Sequence, residues 1–483
     1  MTHKSSLCTA GAAVGLILWS GLSLSASGRG QSSSYLKYPL PAQWSQDSVM
    51  SAVERAPSGE AWWRTFDDPL LDSLIALGER NNYDVSIAAR RIEMSRAAIR
   101  QAQSAYYPQI GIDLGWTRER QSGRIAGPDG AATVTSWFGA SASMSWEIDV
   151  FGKIRAQVNK SRQNARVTAA EYRGAMLTLQ AEIATSYISL LVDRAQLAVA
   201  QEHSKNQLHI LDITETRHRT GLVSGLDVAQ AKTLYYSTVS SIPLLEASIE
   251  ALYNSLAVLC GVPRSELPAS IYEEHPIPSH YDLAAMGAPV DVIRNRPDVV
   301  QAERSIDVAA AGLGIARSSY LPSLSVSASA GTQAHRFGDL FSRQSFGYTI
   351  APTLSWTLFD GLSRHAATVE AREAMRMQVD NYNLTVQTAI QEVNNAMARY
   401  AATLQYIDRT EKVVENGSDA VRLSLDQYKQ GLCDFYNVVE AQLTYLTYQN
   451  SLAAGRGQAL TSLIDLYKAL GGSYTVNSYD NEN

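Results

Sequence analysis

The chain of 483 residues carries 41 Lys+Arg against 47 Asp+Glu, a net charge of -6, with 18% charged and 45% hydrophobic residues, 24 Tyr and 8 Trp. At about 150 residues per domain that length would hold roughly three domains, yet the charged fraction is below the about 25% usual for soluble domains. A mild acidic balance without clustered Lys/Arg excludes a nucleic-acid partner, which needs such clusters to neutralise phosphates.

In chain order, Lys4 and the apolar stretch from Thr9 to Leu24 are followed by Ser25, Ala26, Ser27 and Gly28. This reads as a secretory signal peptide over residues 1–27, and no later apolar run reaches the about 18 residues of a membrane-crossing helix. Of three cysteines, Cys8 precedes the apolar core of the leader, so no lipid-bearing N-terminal cysteine is expected. Cys260 and Cys433 are expected to be free thiols. His203, His209 and His218 share one helical stretch without an i, i+4 pair and read as surface histidines. No nucleophile elbow, phosphate loop or metal-ligand spacing occurs, so no enzymatic activity, metal or cofactor is expected.

The chain repeats itself. Asn82-Tyr83-Asp84-Val85 aligns with Arg296-Pro297-Asp298-Val299, and Tyr106-Tyr107-Pro108 with Tyr320-Leu321-Pro322, at an offset of 214. Ser145-Trp146, Glu182, Gly221-Leu222 and Cys260-Gly261 align with Ser355-Trp356, Glu392, Gly431-Leu432 and Leu470-Gly471 at an offset of 210, so a loop between Pro322 and Ser355 is expected to be shorter. The expected organisation is a leader 1–27, an N-terminal segment 28–83, a first repeat 84–261, a linker 262–297, a second repeat 298–471 and a tail 472–483.

Each repeat opens with a helix, Asp84 to Ser104 or Asp298 to Ser318, stopped by the step into proline. Period-two alternation follows. Ile110, Ile112, Leu114 and Trp116 alternate with small or polar residues, as do Phe138, Ala140, Ala142, Met144, Trp146 and Ile148; the polar stretch from Arg120 to Ala131 joins them into a hairpin. The second hairpin has Leu324, Val326, Ala328 and Ala330, then Phe346, Tyr348, Ile350, Leu354, Trp356 and Leu358, around a loop from His335 to Gln344. A soluble sheet shows the same alternation; the leader and the uncharged Ser/Thr/Gly face favour transmembrane barrel strands with aromatic ends. From Lys153 to Arg219 and from Ser363 to Gln430 proline is absent and glycine scarce, which predicts helices of roughly 67 residues, about 100 Å long. Each turns at a short Gly-containing segment and returns as a helix of about 35 residues, a long αα-hairpin. Four strands cannot close a water-filled barrel, and open sheet edges in lipid leave backbone groups unpaired, so the chain is expected to oligomerise, three copies giving about 12 strands.

From about Trp62 to Gly471 the sequence resembles the TolC-like outer membrane factors, in the OprM/NodT-type branch that works with RND multidrug pumps. The most specific stretch is Arg294-Asn295-Arg296-Pro297-Asp298 with Ala302-Glu303-Arg304, Gly314-Ile315-Ala316-Arg317 and Leu321-Pro322-Ser323-Leu324. Trp62-Trp63, Phe66-Asp67-Asp68-Pro69 and Gly221-Leu222-Val223-Ser224 with Asp227-Val228 support it. The resemblance implies an α+β membrane protein: a homotrimeric 12-stranded transmembrane β-barrel, four strands per protomer, continued by a long α-helical periplasmic barrel. It implies a mixed equatorial region drawing on Tyr38 to Val53, Ser270 to Gly287 and the tail after Gly471. It further implies an exit duct for drugs or toxic compounds in the outer membrane, opened by contact with a periplasmic adaptor protein and an inner membrane RND transporter. The gate that closes the periplasmic tip in the family maps onto Asp227, Tyr428, Asn437 and Glu440, with Asp434 as a further acidic position. An arginine completing the closing link in some members falls on Cys433. Gly221, Leu222, Val223, Ser224, Gly431 and Leu432, in the two turns, are candidates for adaptor contact, since glycine admits close backbone approach and a tip leucine has no core to enter. Acids after a turn also simply complement a helix dipole, and glycine also serves as a helix C-cap. Competing readings are a helical scaffold or adhesin with a soluble sheet, and a type I protein-secretion or metal-efflux duct of the same fold.

Overall fold

The computed structural model describes residues 35–40, 61–122, 124, 132–279 and 293–472. The leader with Cys8, about half of the N-terminal segment, part of the inter-repeat linker and the tail beyond residue 472 lie outside the described residues. The chain divides after Tyr38, and the helices and strands of the described residues belong to the unit Pro39–Asn483.

A one-turn helix, Trp62–Phe66, precedes α1 (Pro69–Asn81). Asp68 starts α1 by accepting from the amides of Leu70 and Leu71, with proline in the first helical position, where its missing N–H costs nothing. Then come α2 (Tyr83–Gln103), β1 (Gln109–Gln121), β2 (Thr133–Ile148), α3 (Lys153–Arg219) and α4 (Gly225–Cys260). The second half repeats the series as α5 (Pro297–Ser318), β3 (Ser323–Ala334), β4 (Phe346–Ser355), α6 (Ser363–Lys429) and α7 (Phe435–Ala469). Helices α3 and α6 each run 67 residues, about 100 Å.

The four strands form one antiparallel sheet in sequence order. The first ladder has thirteen pairs, from Gln109↔Ser145 to Gln121↔Thr133, and the last has ten, from Ser323↔Ser355 to Thr332↔Phe346. The shortening of the second repeat therefore lies in the strands and not, as expected, in their connection. Arg120 and Gln121 belong to β1 rather than to the loop, while Trp356 and Leu358 lie beyond the end of β4.

The core sits near the middle of α3, where α1 and the C-terminal ends of the returning helices α4 and α7 pack against it. Ile183, Ala184, Tyr187, Ile188 and Leu190 of α3 are fully buried, with Leu71, Leu74 and Ile75 of α1, Leu256 of α4 and Leu460, Leu463, Ile464 and Leu466 of α7. Trp62 stacks on Tyr467, with ring centroids 5.6 Å apart, and the Tyr187 hydroxyl donates to Asp68 at 2.7 Å, tying the first turn of the described chain to both long hairpins. Helices α3 and α4 each contain an 18-residue stretch that would suit a membrane crossing by length and composition alone, although neither holds an uninterrupted apolar run of that length. In α3 much of that apolar stretch is this buried core.

His203 is a second correction: it is buried, 4% exposed, against α7, where its Nε2 lies 2.5 Å from Gln449 Oε1 and its ring packs on Tyr445. His209 and His218 are exposed, as expected.

Candidate functional site

The sheet separates two chemistries. Its register lines up Ile110, Met144, Ala328 and Ile350 in one row, and Ile112, Ala142, Ala330 and Tyr348 in the next. Because side chains alternate between faces, the opposite face carries Gly111, Ser143, Ser329 and Thr349, and then Asp113, Ser141, Gly331 and Gly347. Asp113 accepts a hydrogen bond from Ser143 at 3.2 Å on this polar face. The apolar face is open: Ile110, Ile112 and Leu114 are 74%, 76% and 78% exposed. Aromatic rings flank it. At one end Trp146 and Trp356 donate to the carbonyls of Tyr106 and Tyr320, at 2.9 and 3.1 Å; at the other Trp116, Phe138 and Phe337 pack in sequence. An exposed apolar band between aromatic belts is the outward face of a transmembrane strand set. Strands β1 and β4 pair on one side only, and their outer edges carry free backbone groups that lipid cannot satisfy.

At the other end of the long helices are the two turns. Each ends in a glycine in the left-handed region, Gly221 at φ 74° and Gly431 at φ 75°. The following leucine amide folds back onto the helix, Leu222 N–H to Arg217 O and Leu432 N–H to Gln427 O, both at 2.9 Å, which satisfies otherwise orphaned carbonyls. Leu222 and Leu432 stay about 70% exposed, 68% and 71%. Ser224 caps α4 by accepting from the Asp227 amide at 3.3 Å and donates its hydroxyl to the Asp227 carboxylate at 2.9 Å. Asp434 occupies the equivalent cap of α7 without a side-chain hydrogen bond.

The tips are joined by a small apolar core of Ile210, Leu211, Ala231, Tyr428, Phe435 and Val438, against which Val223 and Cys433 pack. Tyr428 is thus buried, with Asp227 and Cys433 nearby. Its burial, and then the negative charge of Asp227, hold the phenol above its ordinary value. Asp434, Asn437 and Glu440 are exposed, and Glu440 makes no ion pair among the described residues. The structure therefore brings Asp227, Tyr428 and Val223 into one neighbourhood and leaves Asp434, Asn437 and Glu440 on the surface of α7 and its cap.

Sequence reasoning missed Arg217. From the last turn of α3 its guanidinium lies 5.1 Å from the centre of the Tyr428 ring and donates to the carbonyls of Tyr428 and Lys429, each at 3.3 Å. A cation at the end of α6 complements that helix's dipole and couples the two hairpin tips, a task for which Cys433 has no charge. Among the described residues no group of three or more His, Cys, Asp or Glu is placed to hold a metal.

A sheet with one lipid-compatible face, continued by about 100 Å of antiparallel helix, defines a protomer of an outer membrane channel with a large periplasmic helical part. The chain belongs to the outer membrane efflux protein family, whose sequence model matches residues 74–262 and 288–472. It is 29% identical over 468 residues to the toluene efflux pump outer membrane protein TtgF of Pseudomonas putida, covering 94% of this chain and 96% of that one. Among solved structures it resembles the outer-membrane channel OprN, with a TM-score of 0.82 and 24% identity over 90% of this chain and 98% of that one. The open state of the MtrE outer membrane channel of Neisseria gonorrhoeae superposes with a TM-score of 0.78 and 23% identity, covering 91% and 96%. The protein is accordingly an efflux channel component of the outer membrane, and its family is one of ducts, not of enzymes.

Proposed function

We propose that three copies of this chain close a twelve-stranded barrel and that the protein is the exit duct of a tripartite pump. The observation that carries this is the open sheet, apolar on one face, polar on the other and unpaired at both edges. Pairing β1 of one copy with β4 of the next satisfies both edges, turns the Ser/Thr/Gly face into a wet lumen and gives the apolar face to lipid. The same three-fold axis gathers the long hairpins into a hollow periplasmic conduit. Relatives named for toluene, solvent and antibiotic efflux support small toxic organic compounds as cargo. A duct without an energy source needs an inner membrane transporter of the RND type and a periplasmic adaptor to reach it. The exposed Leu222 and Leu432, with Gly221, Val223, Ser224 and Gly431, form the surface offered to that adaptor.

The gate reading assigns closure to the packed tip. Tyr428, Asp227 and Arg217 hold adjacent hairpins together, while Asp434, Asn437 and Glu440 ring the mouth, where three like carboxylates favour cations. Purified protein in a planar bilayer, with oligomer mass measured on the same sample, is expected to give a trimer passing small cation-preferring currents. A silent monomer indifferent to lipid would overturn the duct, and an unchanged cation preference after Glu440→Lys would remove Glu440 from the gate.

A further inference from the structure

We infer that Arg118 and Arg120 form a docking site on the outward face of β1 for phosphorylated headgroups of the outer-leaflet lipid. Both follow Trp116 at even positions, the parity of Ile110, Ile112 and Leu114, so they continue the lipid-facing row and do not face the lumen. At about 3.3 Å per residue they stand roughly 7 and 13 Å beyond the aromatic belt along the strand. An arginine on the lipid face costs about 2–4 kcal/mol at mid-bilayer and about 0–1 near the interface, so this is the headgroup level. The helices leave from the opposite ends of the strands, which makes this the exterior end of an outer membrane protein.

Charge at the two ends of the sheet differs. Near the helix end, Lys153 pairs with Glu147 at 3.0 Å and Arg364 with Asp360 at 2.7 Å. At the outer end Arg118 and Arg120 have no acid partner among the described residues, and Glu119 between them points to the lumen side. The neighbouring segment adds one more guanidinium: His335 Nδ1 lies 2.7 Å from the carbonyl of Ser136, the register partner of Arg118, and the cation of that segment, Arg336, follows just before Phe337 packs on Phe138 at 5.7 Å. Asp339 is the acid of that segment. Two guanidiniums two residues apart on one face present paired forks to phosphate oxygens, a geometry that choline or ethanolamine headgroups with a compensating cation fill less well.

The test places the full-length protein in phosphatidylcholine nanodiscs containing a minority of lipid A with two phosphates, and counts the lipids retained on it by native mass spectrometry. Wild type is expected to enrich the bisphosphorylated lipid over phosphatidylcholine, a comparison that needs no variant. The R118Q/R120Q protein should lose about fivefold in enrichment per arginine at low salt, and R118K/R120K should keep part of it, since charge remains while the planar fork is lost. No enrichment by wild type, or equal enrichment by wild type and R118Q/R120Q, would overturn the site. Conductance of R118Q/R120Q is expected to match wild type, so failure of the lipid site and failure of the channel reading are separate results.

Discussion

The two repeats dock the end of a returning helix against the start of the helix that leads to the sheet, and they do it with different chemistry. In the first, Asn82 Nδ2 donates to the Leu259 carbonyl at 2.9 Å while its Oδ1 accepts the Val85 amide at 3.0 Å. In the second, Arg296 holds the same backbone angles, φ -61° and ψ 131°, and its Nη1 donates to the Ala469 carbonyl at 2.6 Å. Arg296 has no acceptor with which to cap, so its charge is instead answered by Asp298 at 2.7 Å and Glu392 at 2.6 Å. Close backbone contact therefore seals the first corner, where a Cβ on Gly261 would stand 2.3 Å from the Asn81 carbonyl oxygen. At the second, the equivalent Gly471 would meet the Arg296 Cα at 3.1 Å. One ancestral junction has kept its hydrogen bond to the returning helix and changed what surrounds it.

That difference is broken most sharply by glycine. Gly261→Ala imposes a side chain at φ 66° and drives it into a backbone oxygen that cannot rotate away. The combined left-handed and overpacking costs are expected to reach about 2–4 kcal/mol, seen as loss of assembled protein or a clear fall in the denaturant midpoint. Gly471→Ala, with the looser contact, should cost visibly less. Equal losses at the two positions would mean that the corners are packed alike.

Next in size is the charge swap. Arg296→Ala leaves the Ala469 carbonyl and two carboxylates without their shared donor, although Asp298 and Glu392 are 47% and 50% exposed and can recover water. The expected loss is about 2–3 kcal/mol, below the full cost of breaking a buried pair. Asn82→Ala removes a cap and one hydrogen bond, about 1–2 kcal/mol. Urea unfolding of the two variants side by side should rank them in that order; the reverse ranking would make the first corner the more polar-dependent one.

How much of this could be read beforehand follows from the range of each interaction. The 67-residue helices were legible because glycines flank Lys153–Arg219 and Ser363–Lys429 while proline, which acts locally, is absent inside them. Strand faces were legible from alternation, but the ladder lengths were not, since a four-residue gap between aligned anchors fits a loop and a strand equally. His203 was misread because its neighbours Gln201, Glu202, Ser204 and Lys205 look like a solvated face, and its partner Gln449 is 246 residues away. Arg217 was missed for the same reason: the sequence places Tyr428 near Cys433, whereas the cation reaching it comes from the other repeat. The tip glycines and leucines were found as motifs, yet only the packed side chains separate Tyr428, inside the joint, from Glu440, outside it.

The smallest effect distinguishes the two free cysteines among the described residues, one at each end of the returning helices. Cys260 lies fully buried at the first corner with its Sγ 3.6 Å from the Leu74 carbonyl, and burial raises the thiol from 9.0 to about 11. Cys433 is partly exposed at the tip, with its Sγ 3.5 Å from the Ser424 carbonyl. Since thiolate is the reactive form, iodoacetamide near pH 8 should label Cys433 and spare Cys260 in the native protein, as judged by mass spectrometry of the separated peptides. The sign of the stability effect follows from the raised value: the unfolded chain loses the Cys260 proton first. Its contribution is thus whole below pH 9 and drains away as pH rises toward about 11. Cys260→Ala should flatten that alkaline decline slightly while lowering stability at pH 7 through the cavity it leaves. Native labelling of Cys260 at the rate of Cys433 would show that the first corner opens, and that Gly261 does not seal it.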